Sequence, residues 1–554
     1  MNAFDPIDRI EPSHTVVDRI MEKSEYCNRI MDECNEMKEK IEQTRDEETL
    51  LKLNNELQLQ IDRMLKLKEY ALDIHETLRT IPHSSKRLQQ AEEYFYQGKF
   101  QEMDEALDAT EIRAEMEALG EDRFLEDEER GEKARASLEC RSYELLIKGL
   151  YRYTFIENPK WYEDVYDLLN DANDASFNVH TLFELGSYLM TTDEQAWALE
   201  LLDDAYVMAQ ELNEEDCHLY EAKCLWAKGI IAKRGGDFPE AIEHAAKALK
   251  IYTELTEKNP AEYRPKMAEM LTVMGDYHAY SRNYPTALVV FEEAVKIRRE
   301  IALHGTEENA LDLAHTLDNL AVVHLCMEEL EDAISRFEDA LRIQEDHLEY
   351  NLYSVLASKA DTLYNLSVAL YKAKRYDEAV RRIKEELEVR KEVQETDPFG
   401  QLPLMAKARN VLANVYLDLR RPEDAIRERE KVVKLYKTLA KHSPETWLCD
   451  LGESLNYCSN LHFRMKSYGK YFLSMKEALE VFRRLAATDP EEYLPTVGCL
   501  LGNVCQYYEQ ISPNKKKSLE AARESFQILS SVKRNKTTEA AYAKMKEILG
   551  ENSL

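Results

Sequence analysis

Glycine and proline are scarce in this chain. Its 554 residues include 16 Gly and 15 Pro, or about 3% each against average usages of roughly 7% and 5%. A protein built from many β-strands needs these residues for its tight turns, so an all-β or collagen-like fold is excluded. Three or four globular domains, or one elongated repeat array, fit the length.

An excess of positive charge and long apolar runs are also missing. The chain has 106 acidic and 73 basic residues, a formal net charge of −33, so phosphate would be repelled by most of its surface. It contains no run of 18 apolar residues, and its start lacks the pattern of a signal peptide. We therefore expect a cytoplasmic protein with a protein or peptide partner, and no binding to nucleic acid or membrane.

The sequence has no constellation of catalytic residues. It lacks a Gly-rich phosphate loop, an HExxH motif and a GxSxG motif, and its ten cysteines form no CxxC pair. The cysteines are therefore expected to be buried thiols. We expect a protein that is not an enzyme and that has no cofactor or metal site.

A period of 46 residues organises the chain from about residue 213. Alanines that follow a short polar turn recur at Ala241, Ala287, Ala333, Ala379 and Ala425. Small residues recur in the same register at Gly229, Gly275, Ala321, Ser367, Ala413, Ser459 and Cys505. Prolines stand at Pro260, Pro398, Pro444 and Pro490. Since proline suits the first turn of a helix but not its interior, these four positions are predicted to mark the junctions between helices. Each unit is predicted to consist of helix A, a short turn, helix B and a loop.

These units resemble the tetratricopeptide repeat. The motif is carried here by Leu317, Leu320, Ala321, Ala333, Phe337 and Ala340. The units are 12 residues longer than the standard 34, which is similar to the extended repeats of kinesin light chains and of bacterial tetratricopeptide proteins with the junction NPAEYRP seen at 259–265. The resemblance covers residues 213–530. It implies an all-α fold, a right-handed α–α superhelix, and a non-enzymatic scaffold that binds other proteins.

The predicted domain plan has six parts. They are an N-terminal tail (1–13), a coiled-coil-like helical segment (14–83), an acidic helical linker with a repeat-like fragment at 98–109 (84–140), divergent repeats (141–212), the extended array (213–535) and a C-terminal capping helix (536–554). The capping helix is expected to have Thr537 or Thr538 as its N-cap and to end before Gly550. The heptads of 14–83 fit an intramolecular hairpin and a homo-oligomeric coiled coil equally well.

Polar side chains recur on helix A. They are Asp318, Asn319, Tyr364, Asn365, Asn410, Asn414, Asn456, Asn460 and Asn503. In the proteins that the chain resembles, helix A lines a concave groove and its Asn side chains hold an extended peptide. An amide both donates and accepts hydrogen bonds, which suits a peptide backbone. These residues are the predicted peptide-binding site; the alternative is that the amides are solvated or bonded along the superhelix.

Other residues depart from the repeat pattern. His278, His324 and His462 share one helix A position, but stacked helices lie roughly 10 Å apart, so we expect packing histidines rather than a shared metal site. Glu386 and Arg429 stand on helix B where Ala or Phe is expected, which predicts irregular interfaces. A regulatory subunit that controls a separately encoded effector enzyme is the alternative function.

Overall fold

The computed structural model describes most of the chain. The described residues are 13–43, 53, 60, 64, 67–68, 71–82, 85–120, 128–155, 161–190, 192, 194–303, 305–347, 352–394, 400–533 and 535–550. Within these ranges the regular structure is helical and no strand occurs, so the predicted all-α class is confirmed. None of the described helices is long and apolar enough to cross a membrane.

The chain divides into two compact units, Met1–Val355 and Leu356–Leu554. Besides a helical stretch at 71–80, which we call the N-terminal segment, the first unit contains α1 (Ser13–Lys23), α2 (Glu25–Gln43), α3 (Lys86–Tyr96), α4 (Phe100–Ala106), α5 (Ala109–Gly120), α6 (Glu128–Phe155), α7 (Trp161–Ala175), α8 (Val179–Leu189), α9 (Gln195–Met208), α10 (Glu214–Arg234), α11 (Phe238–Lys258), α12 (Pro260–Tyr280), α13 (Tyr284–Ala302), α14 (Glu307–Cys326) and α15 (Leu330–Asp346). A single 3₁₀ turn, Ala209–Glu211, follows α9.

The second unit begins within α16 (Leu352–Lys372). Its other helices are α17 (Tyr376–Gln394), α18 (Gln401–Asp418), α19 (Pro422–His442), α20 (Pro444–Arg464), α21 (Tyr468–Thr488), α22 (Pro490–Gln510), α23 (Lys515–Ser531) and α24 (Lys536–Leu549). The even-numbered helices from α10 to α22 are the A helices, and the odd-numbered helices from α11 to α23 are the B helices.

The small residues of the 46-residue pattern lie where helices approach closely. All five recurring alanines are fully buried on B helices, and all seven small residues on A helices are buried as well. Each A helix in the first unit, from α10 to α14, packs against its own B helix, and α11 and α13 each pack against the next A helix. The predicted helix-pair repeat is therefore the packing unit of the array.

Six of the seven turns from helix A to helix B contain one residue in the left-handed region of backbone space, and the turn from α22 to α23 contains none. The N–H of the following residue bonds to the carbonyl five positions earlier, as from Asp237 to Ala232 at 2.9 Å and from Ser467 to His462 at 2.8 Å. This is the Schellman arrangement that ends many helices. The left-handed residues, with φ between 56° and 80°, are Gly236, Arg282, Glu328, Lys374, Arg420 and Lys466.

The same turn occurs at Gly98, between α3 and α4. Its φ is 72°, and the N–H of Lys99 bonds to the carbonyl of Tyr94 at 2.9 Å. A Cβ on Gly98 would lie 2.7 Å from the backbone nitrogen of Ser24. Glycine is therefore required here both by the backbone conformation and by the approach of the α1–α2 junction.

Residues 84–140 differ from the acidic linker that their composition predicted. Their described part forms α3, α4, α5 and the start of α6, and Phe95, Met103 and Ile112 on these helices are fully buried. Most acidic residues of these helices lie on the outer faces, although Glu92 is buried. The average charge of the region therefore did not reveal its amphipathic pattern. The boundary predicted after residue 140 falls inside α6.

The last helix begins slightly earlier than expected. Its N-cap is Asn535, whose side chain accepts the N–H groups of Thr537 and Thr538. The backbone N–H of Asn535 donates in return to Oγ1 of Thr538, which completes a capping box. The N-cap prediction of Thr537 or Thr538 was therefore wrong, whereas the helix ends before Gly550 as predicted.

The apolar side of the N-terminal segment lies in the core of the first unit. Ala71, Ile74 and Leu78 are fully buried there, together with Val17 of α1 and Cys27 of α2. These heptad positions are thus used within one chain. Homo-oligomerisation through 14–83 stays a prediction, and heptad position Leu57 lies outside the described residues.

Candidate functional site on the A helices

The nine residues predicted to bind a peptide all lie on A helices. Asp318 and Asn319 are on α14 in the first unit, and the other seven are on α16, α18, α20 and α22 in the second. Eight are half-buried and Asn460 is exposed. We call the surface formed by the A helices of one unit its A face, so the predicted site is divided between two A faces.

Arg429 brings Asn410 and Asn414 together. From helix α19 its guanidinium donates to the Oδ1 atoms of both amides, at 2.8 Å for Asn414, and it lies 4.0 Å from the centre of the Tyr457 ring. These contacts join α18, α19 and α20. The carbonyl oxygens of both amides are engaged within the protein, which leaves their Nδ2 groups to donate to a partner.

Three other amides of the second unit, on α20 and α22, are unengaged. Within the described residues no hydrogen bond involves the side chain of Asn456, Asn460 or Asn503. Asn456 and Asn460 stand one helical turn apart on α20, and Asn503 lies on the next A helix, α22. Their amides can both donate to and accept from a bound backbone.

In the first unit, Asn319 is paired with a carboxyl group. Its Nδ2 donates to Oδ1 of Asp276 on α12 at 3.1 Å. Burial raises the pKa of Asp276 to about 6, against a smaller lowering by Lys233. This carboxyl therefore changes charge just below neutral pH.

The N-terminal segment, with Lys68 just before it, lies across the A face of the first unit. It contacts the first helices of four successive pairs, α8, α10, α12 and α14. The contacts are Thr80 to His180 at 3.4 Å, Glu76 to Lys223 at 2.7 Å, Arg79 to Glu262 at 3.6 Å and Lys68 to Glu308 at 3.3 Å. The chain itself thus occupies the kind of surface that was predicted to receive a partner.

Buried charge holds the segment in place. Burial alone would raise the pKa of Glu76, but the ammonium groups of Lys223 and Lys266 outweigh it and lower this pKa to about 2. Lys223 also lies 5.5 Å and 5.7 Å from the ring centres of Tyr220 and Phe183. A positively charged lysine thus sits between a carboxylate and two aromatic rings.

Two neighbouring groups are neutral near pH 7. Burial lowers the pKa of His180 to about 3, with a further lowering by Lys223, and its Nδ1 lies 2.7 Å from the Tyr220 hydroxyl. Burial raises the pKa of Glu184 to about 8, and the Lys223 ammonium only partly opposes this effect. Glu76 and Lys223 are therefore the charged centre of the contact.

Sequence reasoning missed this contact for a simple reason. The apolar spacing of Ala71, Ile74 and Leu78 shows that one side of the helix is buried, but it does not show against which helices. Asp73, Glu76 and Arg79 on the same segment look like ordinary solvated charges until Lys223 and Glu262 are placed beside them.

Among the described residues, His324, Glu329 and Asp332 offer ligand atoms within 4.8 Å of one another. His324 Nδ1 lies 2.7 Å from Glu329 Oε2. The equivalent pair His278 and Asn283 also approaches across the turn, at 3.5 Å. This second contact involves an amide and no carboxylate, so we interpret both contacts as part of the A–B turn.

Comparisons with known families decide the nature of the repeats. Two family models, both described as tetratricopeptide repeat, match residues 267–346 and 360–394. The chain contains tetratricopeptide repeats. The resemblance inferred from the sequence is confirmed, and the matched ranges fall within the 46-residue register of A and B helices.

Solved structures show similar helical arrays at low identity. BtubC from P. vanneervenii is 16% identical, with 46% of this chain and 92% of that chain covered and a TM-score of 0.37. Aspartyl phosphate phosphatase F from Bacillus subtilis is 15% identical, with coverage of 76% and 94% and a TM-score of 0.37. A signal transduction ATPase with a tetratricopeptide repeat sensor from Pyrococcus horikoshii is 13% identical, with coverage of 94% and 74% and a TM-score of 0.41. A search of curated proteins found no match. The identification rests on the family models, since every TM-score is below 0.5.

Proposed function

We propose that this tetratricopeptide repeat protein is a non-enzymatic scaffold that binds an extended peptide of a protein partner on the A face of its second unit. The observation that carries the proposal is the set of unengaged amides, Asn456, Asn460 and Asn503, on successive A helices. Tetratricopeptide repeats are a protein-interaction architecture, which supports the same class of partner.

The chemistry of this A face suits a backbone more than a particular side chain. Each amide can pair with both the N–H and the C=O of an extended peptide. The Arg429 guanidinium and the Tyr457 ring, which is 39% exposed, lie beside them and supply a cation and an aromatic surface. A cytoplasmic location and the lack of nucleic-acid or membrane partners also belong to this proposal. The second of these rests on the net charge of −33, which repels phosphate.

The test compares two triple variants in affinity capture followed by mass spectrometry. Asn456→Ala, Asn460→Ala and Asn503→Ala should remove partners that the native chain retains, with an unchanged circular dichroism spectrum. Lys434→Ala, Glu480→Ala and Gln527→Ala alter exposed residues on B helices and should keep every partner. Asn410 and Asn414 stay native, because their removal would strip Arg429 of its acceptors. If the first variant keeps its partners, the A-face proposal fails.

A regulatory subunit that controls a separate effector enzyme is the second candidate. It is favoured by the N-terminal segment, since a surface covered by the chain itself is open to control by displacement. Glu76→Lys should release the segment and change the set of captured proteins, and Glu76→Lys combined with Lys223→Glu should restore the native set. An unchanged set in the single variant would remove this candidate.

A further inference from the structure

Two neighbouring A–B turns of the second unit are basic in a strongly acidic protein. Residues 460–472 contain Arg464, Lys466 and Lys470 and no acid, and residues 510–519 contain Lys515, Lys516 and Lys517 and no acid. All six cations are exposed. We call these six residues, together with Phe463 and Tyr468, the basic edge.

Most of this charge is not neutralised within the protein. Lys470 pairs with Glu430 at 2.8 Å. None of the other five cations forms an ion pair with a carboxylate of the described residues. The edge therefore keeps a net positive charge of about five, which an anionic group can approach.

The positions of the lysines work against helix stability. Lys515, Lys516 and Lys517 form the first turn of α23, and Lys470 lies in the first turn of α21; neither turn contains an acid. The partial positive charge at a helix N-terminus disfavours cations there, at a cost of about 0.3–1 kcal/mol each. Lys470 gains its ion pair with Glu430 and Lys517 contacts the Tyr508 ring, but the placement of Lys515 and Lys516 is not explained by folding.

A chain of aromatic rings connects the two turns. Phe463 lies 5.2 Å from Tyr471, Tyr471 lies 6.1 Å from Tyr507, and the chain continues to Tyr508 at 5.4 Å. The Lys517 ammonium stands 5.4 Å over the Tyr508 ring. At the other end, Phe463 and Tyr468 are 48% and 37% exposed. The edge therefore offers apolar ring surface beside its cations.

A turn with the geometry of the α20–α21 turn has the opposite charge. The turn from α14 to α15 contains Glu328, Glu329, Glu331 and Asp332 and no lysine or arginine over residues 322–334. Glu328 has φ 63° and the equivalent Lys466 has φ 56°. The turn geometry therefore does not require lysine, and the positive charge is particular to this edge.

We propose that the basic edge is a docking surface for an acidic peptide segment of a partner protein. Carboxylates of the peptide pair with Arg464, Lys466 and the three lysines of α23, and an aromatic or aliphatic side chain packs on Phe463 and Tyr468. This surface lies at the A–B turns and does not depend on the amides of the A face.

A short peptide suits the edge better than a long polyanion. At physiological salt, charges interact over roughly 8 Å, so a segment confined to the edge is attracted locally. A DNA duplex or an anionic membrane extends over much more of a protein surface whose net charge is −33, and it is repelled there.

The experiment measures fluorescence anisotropy with the full chain and a labelled peptide. The peptide has about twelve residues, long enough to span both turns when extended, with Glu at half of its positions and two Phe. The native chain should bind it, with affinity that falls as salt rises. Lys466→Glu, Lys515→Glu and Lys516→Glu together should weaken binding about tenfold or more.

Three controls isolate the surface. Lys374→Glu, Lys384→Glu and Lys434→Glu change the net charge equally at exposed lysines of the same unit and should leave the affinity unchanged. Phe463→Ala with Tyr468→Ala should weaken binding of this peptide but not of one in which Ser replaces Phe. The variant at Asn456, Asn460 and Asn503 should bind the peptide normally, which separates this proposal from the A-face proposal.

Three results would overturn the proposal. They are no binding by the native chain, equal binding by the two lysine variants, and tighter binding of duplex DNA or phosphatidylserine vesicles through the same lysines. Circular dichroism of each variant checks that the fold is retained.

Discussion

Lys223 on α10 and Glu76 on the N-terminal segment form an ion pair at 2.7 Å, with side chains 15% and 10% exposed. This contact fixes a helix from the start of the chain onto the A helices of the repeats. Removing one member leaves the other charge largely desolvated, which costs far more than the net gain from a complete pair.

Glu76→Gln should therefore lower the free energy of unfolding by about 3 kcal/mol. Combining it with Lys223→Met should recover part of that loss, because no unpaired charge is left. Urea unfolding followed by circular dichroism measures both, and hydrogen exchange over 71–80 locates the effect. Lys68→Met is the control: its partner Glu308 is 46% exposed, so it should cost about 1 kcal/mol or less.

Glu184 should make stability depend on pH between about 5 and 8. Burial raises the pKa of Glu184 to about 8 in the folded state, whereas an unfolded Glu has a pKa of about 4.3. Between these values the folded protein holds a proton that the unfolded chain releases, so the free energy of unfolding falls as pH rises.

Glu184→Gln should flatten this dependence, as measured by urea unfolding from about pH 5 to pH 9. Glu76 acts in a different window: its folded pKa of about 2 gives stability that is lost as pH falls below about 4. If the free energy of unfolding depends on pH in the same way for the native protein and Glu184→Gln above pH 5, the dependence does not come from the raised pKa of Glu184.

Gly229 and Gly275 hold equivalent positions and should respond oppositely to alanine. A Cβ on Gly275 would lie 2.8 Å from the Phe291 ring, whereas the nearest atom to a Cβ on Gly229 is 3.5 Å away. Gly275→Ala should destabilise by about 1–3 kcal/mol because the core is overpacked. Gly229→Ala should stabilise by up to about 1 kcal/mol through helix propensity. Thermal unfolding should give a melting temperature below that of the native protein for Gly275→Ala and above it for Gly229→Ala.

Substitutions at the left-handed turn positions should have opposite effects on stability, depending on whether the native residue is glycine. Arg420 has φ 58° and Gly236 has φ 80°, a conformation that costs an L-residue roughly 1–2 kcal/mol. Arg420→Gly should raise the free energy of unfolding by up to about 1 kcal/mol. The gain is limited because glycine has more conformational freedom to lose when the chain folds. Gly236→Ala should destabilise by about 1 kcal/mol. Equal melting temperatures for the native protein and the two variants would contradict this expectation and show that the turn backbone adjusts to either residue without cost.

The sequence predicted the helix pairs because their causes are local and repeated. Small residues such as Ala321 and prolines such as Pro444 mark close approaches and helix starts in each unit. Arg429 was recognised as an exception, but its contacts with Asn414 and Tyr457 depend on the distance between three helices, which spacing along one helix does not give.

Longer-range features were harder to predict. The ion pair of Glu76 and Lys223 joins residues that no periodic pattern relates. The region around Phe95 and Met103 was judged by its average charge, although burial depends on which side of a helix the apolar residues occupy. Asn535 was missed as a cap because Thr538 fits the same role three residues later.

The left-handed position found in six of the A–B turns accepts side chains of either charge. In five turns it is an exposed arginine, glutamate or lysine at nearly the same φ, so the backbone and its hydrogen bonds form whichever charge the side chain carries. The fold therefore places no selection on the sign of that charge. Each turn can acquire or lose a partner preference by substitution at a single exposed position, while the helices behind it stay as they are.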